Sequence, residues 1–354
     1  MNGSPEFKLS GLALPTDAEH MLDEICEHFI EHSEVQRSGN VVSLQSEIGT
    51  ANFRLQGNNL LIELACPSPE ALEVCRNIVA EHLFYFAGEA PLDLTWAYPA
   101  PQATLPNIHE VTVVAAEDVT PRMRRVTFAC ADVTPFVGGE MHVRLLVPPK
   151  DRPPVWPSLR PDGRVAWPQG EDELLVRVYT IRAVDIERRE LCIDFLQHPI
   201  PDVETPGADF ARDARPGDSA ALLGPGGGGL PQAKSILLAG DESALPAIAR
   251  IAAEVPPHTQ LQAIIEVQDG HEEQPLPSAG SLEVRWLHRT SYPAGATGGL
   301  LDAAKDAIAS MDDDTFVWVA CEKEDVRVIR TLLRDRQHDR KRMYVASYWE
   351  RDHA

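Results

Sequence analysis

The chain has 354 residues, 44% of them hydrophobic and 24% charged, with a formal net charge of −22. That length suits two or three domains, and the composition excludes wholesale disorder. The acidity excludes non-specific binding to nucleic acid or to an acidic membrane surface, so any anionic ligand needs a local cluster of Arg or Lys.

Six cysteines, at 26, 66, 75, 130, 192 and 321, contain no Cys-x-x-Cys pair and fall mostly in apolar stretches. They read as reduced core thiols of a cytoplasmic protein, not as zinc ligands or a disulfide framework. No apolar run of membrane-spanning length and no charged-then-apolar leader is seen, so no membrane insertion is expected. Gly3-Ser4-Pro5-Glu6-Phe7 resembles a cloning scar, which places residues 1–10 outside the expected fold.

Residues 11–97 are expected to form a small α+β domain. Asp17 is placed to cap a first helix in which Met21, Leu22, Ile25, Cys26 and Phe29 recur at helical spacing. Strands follow around 40–45, 50–56 and 59–65, the last two joined through Gly57-Asn58-Asn59. A second helix runs from Pro69 to about Ala87, and Leu92 to Trp96 closes the unit. Glu24, His28 and His32 fall at i, i+4 and i+8 on the first helix, a spacing compatible with a metal but commoner as a solvated stripe; no metal is expected. Residues 98–107, with Pro99, Pro101 and Pro106, read as a linker.

The pattern then changes to consecutive strands at 109–115, 122–129, 141–147, 174–184, 190–197 and 218–223, with one short helix near 207–214. Six such strands predict a closed antiparallel barrel over 108–230. The loop 148–173 is rich in proline and carries Trp156 and Trp167, which are expected to pack it down. Arg177-Val178-Tyr179-Thr180 opens a hairpin that returns through Asp194-Phe195-Leu196-Gln197-His198. Arg177 and Tyr179 share one face of the strand. A cation for phosphate, a flat ring for stacking and a small donor for a ring nitrogen suit a flavin nucleotide; the competing reading is an ordinary polar surface strand.

Leu223-Gly224-Pro225 leads into glycines 226–229, which lack the Lys-Ser/Thr of a phosphate-binding P-loop. From 231 to 354 strands alternate with helices: β at 236–239, 261–267, 282–287, 315–320 and near 343–348, helices at 243–254, 299–310 and 324–336. Such alternation predicts a parallel sheet with ligands at the C-terminal strand ends. Those ends carry Gly240-Asp241-Glu242-Ser243, Glu266, His288-Arg289 and Cys321-Glu322. No Gly-x-Gly-x-x-Gly occupies the first strand-to-helix turn, and Asp241 and Glu242 would compete with a pyrophosphate for the helix start.

A barrel carrying Arg-x-Tyr-Thr, followed by a parallel α/β half, resembles the ferredoxin–NADP reductase superfamily. The further series Asp194-Phe195-Leu196-Gln197-His198, Arg215-Pro216-Gly217-Asp218, Gly224-Pro225, Gly240-Asp241-Glu242-Ser243-Ala244-Leu245-Pro246-Ala247, Trp286-Leu287-His288 and Tyr348-Trp349 narrows it to the siderophore-interacting proteins. These are flavin-dependent ferric-siderophore reductases. Residues 11–97 resemble a small uncharacterised domain found ahead of such reductases.

The resemblance implies FAD, reduced by NADPH, NADH or a protein donor, passing electrons singly to Fe(III). Arg177 would pair with the phosphates, Tyr179 would lie against the isoalloxazine, and Thr180 would reach its N5 edge. His198 and the helix opening at Gly207, Ala208 and Asp209 would take the pyrophosphate. Asp194, Phe195 and Trp349 complete the implied flavin surroundings, and Glu242 and Arg289 the nicotinamide side. Arg144 keeps one of the basic positions implied for attracting ferric chelates, Gly226 replaces a second, and the third has Tyr344 near its place with Arg342 two residues earlier. That pattern favours a hydroxamate over a catecholate complex. Two rival readings are another flavoreductase of the superfamily and a non-catalytic carrier of flavin or ferric chelate.

Overall fold

Residues 7–30, 33–100, 105, 107–197, 205–291 and 299–351 are described in a computed structural model. They fall into two compact units, Met1–Ile108 with Pro149–Glu173, and His109–Pro148 with Leu174–Ala354. His32 of the helical stripe and His198 of the hairpin lie outside the described residues.

The first unit contains β1 (Phe7–Pro15), α1 (Ala18–Phe29), β2 (Glu34–Ser38), β3 (Val41–Gln45), β4 (Thr50–Gln56), β5 (Asn59–Cys66), α2 (Pro69–Ala87) and β6 (Leu92–Trp96). Asp17 caps α1 by accepting the His20 N–H at 3.0 Å, and Ser68 caps α2 with Pro69 in its first turn. The strands form one sheet in the order β2-β3-β4-β5-β1-β6, and both helices bury their apolar stripes with it in a single core. Two strands depart from the sequence reading. Residues 7–10 belong to β1, where Phe7 pairs with Cys66 and the buried Leu9 with Leu64. The scar-like motif thus continues into a strand whose alternate residues face the core. β2 is an edge strand of polar residues with only Val35 partly buried, so it carries almost no period-2 signal.

The long loop 148–173 forms a ribbon of β10 (Ser158–Leu159) and β11 (Val165–Ala166), which packs on this first unit. The Trp96 indole N–H donates to the Asp162 carbonyl at 2.8 Å, Asn77 donates to the Gly163 carbonyl at 3.0 Å, and Glu81 accepts the Val165 N–H at 2.7 Å. The Arg164 guanidinium lies 3.6 Å from the Phe84 ring centroid. Trp96, Asn77, Glu81 and Arg164 thus hold the ribbon to this unit, and Trp156 and Trp167 are partly buried. Among the described residues no cluster of three His, Cys, Asp or Glu is placed to hold a metal; His28 packs against the rings of Phe29, His82 and Phe86.

The second unit opens with a closed barrel of β7 (Ile108–Thr120), β8 (Met123–Cys130), β9 (Glu140–Val147), β12 (Leu175–Asp185), β13 (Glu190–Leu196) and β14 (Ser219–Gly229), in the order β12-β13-β8-β7-β14-β9. Its interior is filled by Val113, Val126, Phe128, Leu145, Ile193 and Phe195 among others, and α3 (Pro206–Asp213) packs beside it. β14 runs on through the glycines, beyond the expected end at 223, because its backbone keeps pairing with β9 across two register shifts. A Cβ at Gly228 would come within 2.5 Å of the Tyr344 ring, so a side chain there would displace that ring.

The α/β half follows as β15 (Ser235–Asp241), α4 (Leu245–Glu254), β16 (Gln260–Val267), β17 (Ser281–His288), α5 (Gly299–Ser310), β18 (Phe316–Glu322), α6 (Lys323–Asp335) and β19 (Met343–Trp349). The five parallel strands lie in the order β17-β16-β15-β18-β19. Apolar layers on both faces account for the nearly continuous hydrophobic runs of β15 and β18. Among the described residues no helix is long and apolar enough to cross a membrane.

Candidate functional site

A cleft of about 990 Å³ opens within the second unit. One wall comes from the barrel, with His142 of β9, Arg177 to Thr180 of β12, Asp194 of β13 and the start of α3. The other comes from the strand ends of the α/β half, with Asp241, Glu242, Glu266, Cys321 and Glu322, and from β19 with Tyr344, Tyr348 and Trp349. This is the C-terminal strand edge where open parallel sheets bind ligands.

The barrel wall is open to an anion. Arg177 is exposed, donates only to the Val176 carbonyl at 2.8 Å, and among the described residues has no carboxylate partner. Among the described residues no side chain caps α3, although Thr205 stands at the capping position. The N–H groups of its first turn, at Gly207 and Ala208, therefore point outward without an intrahelical partner. Tyr179 lays its ring 4.4 Å from that of Phe195, and burial pushes its phenol up to about 12, so it stays protonated. A Cβ on Gly207 would lie 1.8 Å from the Tyr179 hydroxyl oxygen. Only glycine allows that ring and the helix start to meet. A lone cation, an uncapped helix, an aromatic face and the Thr180 hydroxyl together fit a flavin nucleotide.

Three implied flavin residues have other roles. Phe195 is fully buried in the barrel beneath Tyr179 and does not line the cleft, because odd positions of β13 face the interior. Asp209 turns back to accept the Thr205 N–H at 2.9 Å and pairs with Arg212, which holds the helix entry. Asp194 lines the cleft, but its buried carboxylate is engaged by Arg125 at 2.7 and 2.8 Å. It therefore braces β13 against β8.

The α/β wall carries carboxylates at its strand ends. Arg289 is gripped by both Glu242 oxygens, at 2.5 and 2.6 Å, and by Glu266 at 3.0 Å. Carboxylates occupy the starts of α5 and α6, where Glu266 accepts the Leu300 N–H at 3.1 Å and Glu322 those of Glu324 and Asp325 at 2.8 and 3.3 Å; Asp241 accepts the Ser243 N–H at 2.9 Å in the turn before α4, which no side chain among the described residues caps. Asp241 also accepts the Trp349 indole N–H at 2.6 Å; burial raises its carboxyl above the usual range, against the pull of these hydrogen bonds. Glu242 and Arg289, expected on the nicotinamide side, both line the cleft and there pair with each other.

Of the two cations expected to attract a ferric chelate, Arg144 is exposed and pairs across from Val178 of the cleft wall without itself lining the cleft. Arg342 does not line the cleft; it lies in a turn before β19 near Asp339. Arg351, just past Trp349, lines it instead, its guanidinium 5.9 Å from the Trp349 ring centroid. Sequence reading missed His142, Tyr348 and Arg351. The first is a lone histidine in an apolar strand, and only the pairing register shows what it faces.

Residues 112–229 match the family model described as siderophore-interacting FAD-binding domain, and residues 233–352 that described as siderophore-interacting protein. Residues 13–97 match an uncharacterised protein family conserved in bacteria. Ferric vibriobactin reductase ViuB of Vibrio cholerae is 28% identical over 239 residues, covering 66% of this chain and 86% of that protein. The crystal structure of a siderophore utilization protein from T. fusca matches with a TM-score of 0.59 and 33% identity, over 70% of this chain and 94% of that one. The siderophore-interacting protein SipS from Aeromonas hydrophila matches with a TM-score of 0.56 and 25% identity, over 69% and 99% of the two chains. With two adjoining matches that span both halves of its second unit, this chain belongs to the siderophore-interacting protein family.

Proposed function

We propose that this chain is an FAD-dependent reductase of ferric siderophores that releases the iron as Fe(II). The observation that carries this reading is the barrel wall, where Arg177, the uncapped start of α3, Tyr179 and Thr180 converge on one cleft. Bound FAD would supply the redox chemistry, taking electrons in pairs and passing them on singly. Arg177 and the amides of Gly207 and Ala208 would hold the phosphates, Tyr179 would lie along the ring system, and the Thr180 hydroxyl would reach its N5 edge. Fe(II) is held less tightly than Fe(III) by hard oxygen donors, so reduction loosens the chelate and no protein acid or base need attack it.

NADPH or NADH is the electron source the resemblance brings with it. The described α/β wall suits their phosphates poorly at Arg289, which a dinucleotide would have to take from Glu242 or Glu266; Arg351 is the other cation that lines the cleft there. The same carboxylates bear on the substrate. Asp241, Glu242, Glu266, Glu322 and Asp325 line the cleft against Arg177, Arg289 and Arg351. A ferric hydroxamate, less anionic than a catecholate complex, is the better guest. Its kcat/KM, measured with chemically reduced enzyme, is expected to exceed that of a ferric catecholate on the order of tenfold at low salt, with the gap closing as salt rises. Catecholate preference would refute the assignment of substrate class.

The primary test is the visible spectrum of the purified protein before and after added FAD. A protein that is colourless and takes up no FAD is not a flavin enzyme. Arg177→Ala is expected to weaken FAD roughly 10- to 150-fold, the equivalent of one charge-assisted contact of about 1.5–3 kcal/mol, with no change in the melting temperature of the apoprotein. Unaltered FAD affinity in that variant would remove the phosphate-binding role.

A further inference from the structure

His142 of β9 stands directly across from Thr180 of β12 in the antiparallel register, and its Nδ1 lies 3.1 Å from the Thr180 Oγ1. Its Nε2 faces two phenols of β19, Tyr348 at 3.0 Å and Tyr344 at 3.4 Å. The imidazole is almost fully buried, and so is Thr180. The surrounding groups hold it still from every side. Gly227 of β14 lies against its ring, where a Cβ would come within 3.2 Å; Tyr344 stacks on Trp318 of β18, with centroids 5.5 Å apart; and Tyr344 also donates to the Gly227 carbonyl at 3.4 Å. Arg250 of α4, whose guanidinium donates to the Ile181 and Phe136 carbonyls at 3.1 and 2.8 Å, is the nearby fixed positive charge. Burial and that charge push the His142 imidazole down to about 4, so it is neutral at ordinary pH.

A neutral imidazole carries one N–H donor and one bare nitrogen acceptor. With the proton on Nδ1, His142 donates to Thr180 and accepts from Tyr348, and the Thr180 proton is left to point into the cleft. With the proton on Nε2, His142 donates to a tyrosine oxygen and accepts from Thr180, whose lone pairs then face the cleft. Tyrosine hydroxyls can serve either tautomer. An oxidised flavin N5 is an acceptor and a reduced N5–H is a donor, so the two tautomers match the two states of the ligand.

Resting on the flavin reading above, we propose that His142 is a positioning residue that sets, through its tautomer, whether Thr180 donates to or accepts from the flavin edge. Tyr348 completes the chain by offering whichever hydrogen-bonding partner the Nε2 requires. No net proton moves between protein and solvent in the exchange of tautomers: Nδ1 gives its proton to the Thr180 oxygen, Thr180 gives its own to the Tyr348 oxygen with which it is also hydrogen-bonded, and Tyr348 gives its own to Nε2, so each group ends with the number of protons it began with.

The test is the midpoint potential of FAD bound to wild type, His142→Ala, His142→Gln, Thr180→Val and the double variant His142→Ala/Thr180→Val. Loss of His142 should change the ratio of oxidised to reduced FAD binding about tenfold, read as a potential shift of about 30 mV for a two-electron couple. If His142 acts through Thr180, the double variant shifts no further than Thr180→Val alone. Gln, which keeps one donor and one acceptor, should recover part of the shift and guards against a misfolded Ala variant. Additive shifts, or an unchanged potential in both His142 variants, overturn the inference while leaving the flavin reading intact. Failure of the wild type to take up FAD overturns both.

Discussion

Gly207→Ala is expected to lower FAD affinity roughly 100-fold while the barrel stays folded. The backbone does not forbid the change, since Gly207 is not at positive φ. The obstacle is steric: the new Cβ would lie 1.8 Å from the Tyr179 hydroxyl oxygen and 3.0 Å from its ring carbon. The ring cannot sink, because Phe195 lies beneath it at 4.4 Å and is fully buried. It must swing into the cleft, or the first turn of α3 must lift away. Either movement damages two parts of the flavin site at once, the aromatic face and the amides. Titrating apoprotein with FAD and following flavin fluorescence measures the loss. An affinity equal to that of wild type would mean that Tyr179 and the start of α3 are not both parts of the site.

His142 should make the fold sensitive to acid. Its imidazole falls from an ordinary value near 6.5 to about 4 in the folded chain, equivalent to roughly 3 kcal/mol of preference for the neutral form. Between these values the unfolded chain binds the proton and the folded one does not. The contribution is therefore complete above pH 6.5 and is lost as the pH falls toward 4. Asp241, Glu266 and Asp325, whose carboxyls burial raises, act in the opposite direction over the acid range. The clean measurement is thus a difference between proteins. The stability advantage of wild type over His142→Gln, from thermal or denaturant transitions of the second unit, should shrink by about 3 kcal/mol between pH 7 and pH 4. A difference that does not vary with pH would show that His142 titrates normally and is not enclosed as described.

The strands, helices and their faces were largely legible in the sequence because each is encoded locally. α2 runs from Pro69 to Ala87 as its cap and apolar spacing require, and β6 spans Leu92–Trp96 as read. The sequence alone also placed Arg177, Tyr179 and Thr180 within four residues on one strand, where strand geometry dictates which of them share a face. Local signals failed where partners are distant. The polar edge strand β2 has no alternation to detect, and the glycines of β14 have no strand propensity, yet both are fixed by pairing with a neighbour. Three roles were decided only by tertiary structure. Arg289 looked available for phosphate until β15, β16 and the turn after β17 brought Glu242, Glu266 and Arg289 together, 47 and 23 residues apart in the chain. Arg342 and Arg351 exchanged places as cleft cations, because the path of β19 carries only the latter to the strand ends. His142 meets Thr180 38 residues later and Tyr348 206 residues later, through register and sheet order. Residue type and spacing specify what a side chain can do; long-range pairing specifies which partner it finds, and so whether a charge or hydroxyl is left open to a ligand.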